Sequence, residues 1–455
     1  MSADGALART TCLGDARAVV MGGGIAGLLA AAALSECFEH VLVLDKDLLP
    51  PAPRPRRHVP QGLHVHGILK GGEERIERLL PGTRAALLAA GGVPLRAGVE
   101  HRHFDGGAWL PPVDLGVTQH TQTRALLEHV IRARLLERPN VVVEDGTRVI
   151  ETVLGEDGVR GVRAEKSRKR KFYPCELLVD ASGRGNRLPR WLAEHGFGRV
   201  ERSFCEMDIC YVTGIFEKTP AWAGRVESRI LRPTPPDTRS GTLIPIEGDR
   251  WLLTLTGRFG DFPPTDLDGF LRFARELEDP TLHDMVAGGS LVEPISRYRI
   301  PRSIWTHFET MECFPGRFVP LGDIVGSFNP LYAQGMTQCA QHALALLEQI
   351  QALGNDAAAL GGVTFSRSCR EAMAAITEHA WRASTLGDFA YPQTRGNRPA
   401  DLDQQLRFQR GVRALLARDE SFYRLAFRVR SLLEPSTRFS EPAVRDRVLA
   451  AAADP

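Results

Sequence analysis

The chain has no pair of cysteines at metal or redox spacing. Its eight cysteines stand at 12, 37, 175, 205, 210, 313, 339 and 369, with no C-x-x-C and no Cys/His set at zinc-finger spacing. A zinc ribbon and a thioredoxin-type centre are thereby excluded, and reduced thiols in a cytoplasmic protein are expected. An excess of one charge is also missing. Lys and Arg total 57 against 55 Asp and Glu, a net charge of +2, which is too small to hold nucleic acid or an acidic membrane surface. Long hydrophobic runs are lacking too. The apolar stretch nearest the N-terminus is interrupted by glycines and is too short to cross a bilayer, so no integral membrane segment is expected. Met1-Ser2-Ala3-Asp4-Gly5 opens no basic n-region followed by an apolar h-region, so no signal peptide is expected. What remains is ordinary for a globular enzyme: 455 residues, 43% apolar and 25% charged, enough chain for two or three domains' worth of core.

The pattern begins as βαβ. Ala18-Val19-Val20-Met21 is a short apolar strand. Glycines follow, then Leu28-Leu29-Ala30-Ala31-Ala32-Ala33-Leu34, a strong helix former, and then a second buried strand, Val41-Leu42-Val43-Leu44. The stretch from Leu48 to Pro60 holds five prolines and three arginines and predicts an extended loop. Helices are predicted over 68–90 and 123–137, and strands at Val141-Val142-Val143 and Leu177-Leu178-Val179. From 203 to 258 apolar residues alternate between turn signals such as Glu247-Gly248-Asp249, which predicts an antiparallel sheet. Helices are again predicted over 266–278 and 335–352 and through most of 366–432. In that last stretch Arg407, Arg410, Arg413, Arg418, Arg424, Arg428 and Arg430 read as a solvated face.

Gly22-x-Gly24-x-x-Gly27 joins the first strand to the first helix, and each glycine has a mechanical role. Gly22 allows the tight turn, Gly24 lets the backbone approach a pyrophosphate, and Gly27 lets helix and strand pack closely. The helix start at Ile25 and Ala26 offers unpaired N–H groups and a positive dipole end to phosphate. Asp45, followed by Lys46, stands 23 residues after Gly22 at the end of the second strand, where a carboxylate can accept from a ribose hydroxyl. A bound dinucleotide is expected.

The far end of the chain decides which dinucleotide. Phe318-Val319-Pro320-Leu321-Gly322-Asp323 ends a strand, and Phe328-Asn329-Pro330-Leu331-Tyr332-Ala333-Gln334-Gly335-Met336 leads into a long helix. This arrangement resembles the second FAD signature of group A flavoprotein monooxygenases. Asp323 can bond a ribitol hydroxyl, and the helix start at 334–336 favours the negative charge of a reduced flavin. Two further segments join it, Val59-Pro60-Gln61-Gly62-Leu63-His64-Val65-His66 and Val179-Asp180-Ala181-Ser182-Gly183-Arg184-Gly185. Together the three resemble the flavin-dependent epoxidases of bacterial polyether biosynthesis (the lasalocid-epoxidase type), which are themselves similar to squalene epoxidase.

That resemblance runs from about residue 16 to the C-terminal helices. It implies an α/β fold: a Rossmann-type FAD-binding domain whose first part, with interrupted segments, runs over 16–200 and whose second part runs over 301–355, an inserted antiparallel β-sheet substrate domain over 201–300, and a helical C-terminal region over 356–455. It implies FAD that is reduced, reacts with O2 to a C4a-hydroperoxide and gives one oxygen atom to an alkene of a polyketide or terpenoid. An aromatic or indole ring is the alternative substrate. It also places Arg124, Asp180, Pro330, Gly335 and Met336 with the glycines, Asp45, Lys46, Gly322 and Asp323 at the cofactor, and Gln61 and His64 on the loop beside the flavin. The Asp-Gly motif of hydroxylases that take NADPH directly is missing, since Ser182 precedes Gly183. NAD(P)H, or a separate flavin reductase, is left as the electron source.

Oxygen transfer of this kind needs a dry pocket rather than a general acid or base. Tyr211, Phe216 and Trp251 are candidate walls. The pairs His64/His66 and His101/His103 have no accompanying carboxylate or cysteine cluster, so no metal is expected. Ser182 and Ser327 lack a nucleophile elbow. A tryptophan-type halogenase would carry W-x-W, and the six tryptophans at 109, 191, 222, 251, 305 and 381 contain no such pair. A flavin reductase acting on isoprenoid double bonds, and a non-enzymatic prenyl carrier that keeps this fold, complete the alternatives. The intact Gly22, Gly24, Gly27 and Asp323 oppose the carrier.

Overall fold

The computed structural model describes residues 13, 16–185 and 187–453; Met1–Gly5, where no signal peptide is expected, lies outside them. Five short strands form an all-parallel sheet in the order Phe318–Pro320, Leu177–Asp180, Arg17–Met21, His40–Leu44, Val141–Glu144. Every one is rich in Val, Leu or Phe because both faces are covered, as a parallel sheet requires. On one face lie the helices Ile25–Leu34, Arg124–Leu136 and Gln334–Gln351. The Ile25 helix buries every residue except Ala26, so it is apolar all round, as befits a helix held between a sheet and other helices. On the other face lies the antiparallel meander 148–155, 158–166, 169–174, whose Val159, Val162, Ala164 and Tyr173 join the same core as Val20 and Leu178.

A second sheet has seven strands in the order 296–300, 209–217, 250–258, 240–246, 228–231, 101–105, 108–109. Its period-2 alternation sorts two faces. Cys210, Val212, Phe216, Trp251, Leu253 and Leu255 pack against the helices Leu267–Arg275 and Thr281–Val286. Tyr211, Thr213, Leu252 and Thr254 fall on the opposite face, toward the loop that carries His64 and Val65. Phe216 and Trp251 are therefore helix-backed core and not pocket walls; Tyr211 alone of the three candidates faces the site. The helix Val363–Phe389 packs along the Gln334 helix. The helices Leu402–Arg418, Glu420–Arg430 and Pro442–Ala451 bury Leu415, Phe422, Tyr423 and Val448 against Ala97, Leu110 and Leu115.

The structure differs from the sequence expectation at four places. The helix expected over 68–90 is two helices, Lys70–Leu79 and Thr83–Ala89, broken at Pro81-Gly82, where Gly82 has φ 86°. The β-rich stretch does not form one sheet, because Arg202–Glu206 leaves to pair with Ser303–Thr306 in a separate four-stranded sheet. The seven-stranded sheet also takes in 101–109, from within the stretch assigned to the first FAD-binding part. Finally, the arginine row is not wholly solvated: Arg413 turns inward to Asp105, with Nε–Oδ1 at 3.1 Å. Among the described residues no helix is long and apolar enough to cross a membrane.

Candidate functional site

At the head of the Ile25 helix, Gly22 takes φ 101°, which an L side chain rarely adopts. A Cβ at Gly27 would lie 1.8 Å from the Gly22 carbonyl oxygen, so this glycine is what allows the helix to begin against the turn. Gly24 is different. Its φ of −80° suits any residue, and a Cβ there would meet nothing within 4 Å. The turn thus opens on empty space beside the N–H groups of Ile25 and Ala26. No side chain caps this helix start and no acidic residue occupies its first turn. A helix N-terminus left open to a hollow suits a phosphate.

Asp45 lies behind this turn, almost fully buried. Its Oδ2 accepts from the Gly23 N–H at 2.6 Å and its Oδ1 from the Asp47 N–H at 2.7 Å. Arg56 comes from the proline-rich loop to pair with Asp45 at 2.6 Å, with Asp47 at 3.1 Å and with Glu128 at 3.0 Å, and donates to the Gly23 carbonyl at 3.0 Å. Despite burial, these carboxylates hold the Arg56 guanidinium well above its ordinary pKa. Arg124 pairs with the other oxygen of Glu128 at 2.9 Å. Arg56 and Arg124 line a pocket together with Pro50, Val59, Gly62 and Arg132. Lys46, expected beside the cofactor, is exposed.

The second half of the site meets the first through packed helices. Gly322 has φ 77°, and a Cβ there would lie 2.7 Å from that of Ala26, so the two glycine turns abut. His342 fixes the Gly322 turn. Its Nδ1 accepts from the Gly322 N–H at 3.2 Å while its Nε2 faces the Met373 carbonyl oxygen at 3.1 Å. That pattern assigns the neutral Nε2–H tautomer, and burial pulls its pKa down to about 3. Asp323 is half-buried and pairs with Arg184 at 3.2 Å; Arg184 also donates to the Phe328 carbonyl at 2.8 Å. Past Pro330, Ala333 takes the left-handed conformation at φ 55°, and the Gln334 helix starts without a side-chain cap. A Cβ at Gly335 would reach only Asp323 Oδ1, at 4.0 Å. Met336 is buried at the first turn. Asp180 ends the strand between the two halves and accepts from the Ser182 N–H at 3.0 Å; burial pushes its pKa up to about 6.

The loop 59–66 closes the third side. Gln61 sits in the single turn Pro60–Leu63, and its carbonyl accepts from the His64 N–H. His64 Nδ1 lies 2.8 Å from Thr213 Oγ1 and the Val65 N–H donates to Thr254 Oγ1 at 3.1 Å, so two threonines of the seven-stranded sheet hold this loop. Burial pulls His64 down to about 4, so it is neutral at pH 7. Its Nε2 is buried and has no hydrogen-bond partner among the described residues. The rings of Tyr211 and Tyr298 flank it at 6.2 and 6.0 Å.

Sequence reasoning missed Arg56, Arg184, His342 and a buried network behind the Pro330 turn. In that network Asp388 accepts from Asn329 Nδ2 at 3.1 Å and from the Tyr332 hydroxyl at 3.0 Å, while Tyr211 donates to Asn329 Oδ1 at 2.6 Å. Arg184, Asn329 and Tyr332 lay inside quoted motifs, but their pairing with residues 139, 59 and 56 positions away left no sequence signal.

Two uncapped helix starts, a glycine opening on a hollow, an acid at the end of the second strand and an acid at the second glycine turn make a cradle that fits FAD. No protein-family model matches the chain. A Mycobacterium tuberculosis protein, Rv3254, is 29% identical over 394 residues, covering 82% of this chain and 80% of that one. Solved structures share the fold. A flavoprotein/dehydrogenase from Cytophaga hutchinsonii has TM-score 0.66 at 12% identity and covers 96% of this chain and 98% of that one. The flavin-dependent halogenase CmlS has TM-score 0.64 at 17% identity, covering 93% and 78%. PqsL, a probable FAD-dependent monooxygenase from Pseudomonas aeruginosa, has TM-score 0.60 at 18% identity, covering 90% and 98%. The fold is that of the FAD-binding flavoprotein monooxygenases and halogenases.

Proposed function

We propose that the protein is an FAD-dependent monooxygenase that transfers one atom of O2 to an apolar substrate, with an alkene of a polyketide or terpenoid as the favoured acceptor and an aromatic ring as the second. The observation that carries this is the pair of uncapped helix starts at Ile25 and Gln334, brought together at the abutting turns of Gly22 and Gly322. Gly24, Ile25 and Ala26 would hold the pyrophosphate, Asp45 the ribose, and Asp323 with the N–H groups at 334–336 the flavin end. FAD bound there would supply two-electron reduction of O2. The Gln334 helix start would stabilise negative charge on the reduced ring. Tyr211, Tyr298 and neutral His64 would keep the space before it poor in water. With no Asp-Gly motif at 180–186, electrons are assigned to a separate reductase.

Halogenation is a second proposal, since CmlS and the brominase Bmp2 share the fold. One experiment separates the two. The photoreduced holoenzyme is mixed with oxygenated buffer with and without bromide or chloride. Oxygenation of a terpene or aromatic panel, independent of halide, supports the monooxygenase. Products that appear only with halide support the halogenase. A purified protein that retains no flavin would overturn both.

A further inference from the structure

The second glycine turn carries a carboxylate close to the start of the Gln334 helix. Asp323 Oδ1 is 4.0 Å from the place a Cβ at Gly335 would take, and Asp323 Oδ2 accepts from Arg184 Nε at 3.2 Å. The helix start and Arg184 thus flank one acid. Arg184 reaches it on the segment after strand 177–180, which runs beside the first glycine turn: a Cβ at Gly22 would lie 2.6 Å from the Ala181 carbonyl oxygen. A second contact ties the guanidinium toward the seven-stranded sheet. Its Nη2 donates to the Phe328 carbonyl at 2.8 Å, and the next residue, Asn329, accepts from the Tyr211 hydroxyl at 2.6 Å. Tyr211 stands opposite Tyr298 in that sheet, and both rings flank His64. Arg184 therefore stands where both glycine turns, the approach to the Pro330 turn and the tyrosine face of the sheet converge. Its side chain is 28% exposed and that of Asp323 27%, so the pair is open to a ligand.

An acid alone at this turn would oppose reduction of a flavin held there. Reduced flavin carries negative charge on its ring, and a like charge nearby disfavours that state. A guanidinium 3.2 Å from the carboxylate offsets most of its field, and the uncapped helix start adds a positive end beside it. We propose that Arg184 is the counter-charge of Asp323 and sets the redox balance of the site: it lets the Gly322 turn hold FAD by its acid without disfavouring the reduced cofactor. This rests on the FAD site of the proposed function and is independent of whether the substrate is oxygenated or halogenated.

The test is anaerobic titration of the full-length apoprotein with oxidised and with photoreduced FAD, for the wild type, Arg184→Gln, Arg184→Lys and Asp323→Asn. The readout is the ratio of the two dissociation constants, since a tenfold change in it equals a shift of about 30 mV in a two-electron potential. Arg184→Gln should lose about tenfold more affinity for reduced than for oxidised FAD, which lowers the bound potential by about 30 mV. Arg184→Lys keeps the charge without the planar fork and should restore most of the wild-type ratio. Asp323→Asn leaves the cation unopposed and should move the ratio the other way, which decides the question even if Arg184→Gln fails to fold. A residue that only braces the turn would weaken both forms of FAD alike. An unchanged ratio in Arg184→Gln, a lysine variant that behaves like the glutamine one, or an Asp323→Asn shift toward oxidised FAD would overturn the counter-charge role while leaving the FAD site standing. A wild type that binds neither form of FAD would overturn the FAD site itself, and this role with it.

Discussion

Arg258 and Asp388 form an ion pair at 2.8 Å, with side chains 1% and 0% exposed, joining the end of strand 250–258 of the seven-stranded sheet to the long helix Val363–Phe389. Asp388 also holds Asn329 and Tyr332, so the Pro330 turn is positioned by a buried charge. Removing one partner of such a pair strands the other in a low-dielectric interior. Arg258→Met should therefore cost about 3–5 kcal/mol of stability, read by urea unfolding. A loss below about 1 kcal/mol would show that the pair is replaceable by packing.

Gly24 and Gly27 should separate binding from folding. Gly24→Val places its side chain in open space at a φ any residue accepts, so the apoprotein should keep its melting temperature while flavin retention is lost. Gly27→Ala drives a methyl into the Gly22 carbonyl and should prevent soluble expression. A yellow Gly24→Val protein would remove the pyrophosphate from this turn.

Asp323→Ala should weaken FAD retention by about tenfold or more while moving the apoprotein's melting point little, because the half-exposed Arg184–Asp323 pair adds little to stability. Equal losses in melting temperature with and without FAD would make Asp323 a plain turn residue.

Acid should unfold the protein between pH 6.5 and 4. Burial holds His64 and His101 at about 4 and His342 at about 3, against 6.5 in an unfolded chain. The unfolded state therefore takes protons first as pH falls, and stability rises with pH across this window. Once pH falls below its folded value, His64 and His101 each contribute about 3 kcal/mol to the loss and His342 about 5 kcal/mol. Asp180 acts in the opposite sense. Its pKa is raised to about 6, so its contribution is greatest below 3.8 and is lost as pH rises through 6, offsetting about one histidine. Urea midpoints measured at pH 7.5 and pH 5 test the balance, and equal midpoints would refute it.

Much of this was legible in the sequence. Strand, glycine turn, apolar helix and terminal acid are local features, and the α/β fold followed from them because each short motif carries its own backbone requirement. The inward turn of Arg413, the departure of Arg202–Glu206 to another sheet and the roles of Arg56 and Arg184 were not legible. Arg413, Arg184 and the strand 202–206 each depend on a partner brought from far along the chain, and Arg56 folds back on Asp45 and Asp47 across a loop whose path the sequence does not show; an arginine that pairs inside looks the same in sequence as one that faces water. Tyr211, Phe216 and Trp251 were equivalent as aromatic strand residues; only the register of the sheet, Phe216 opposite Trp251 and Tyr211 opposite Thr256, divides them between its two faces.

The strand 101–105 enters the seven-stranded sheet from within the parallel-sheet half, and Phe318–Pro320 returns to the parallel sheet after the seven-stranded sheet is complete. The backbone is thus threaded back and forth between the two layers. A single protease cut or gene split anywhere between them leaves each fragment missing a strand that the other holds. Neither fragment then holds a complete parallel sheet, so the two layers are expected to unfold as one unit.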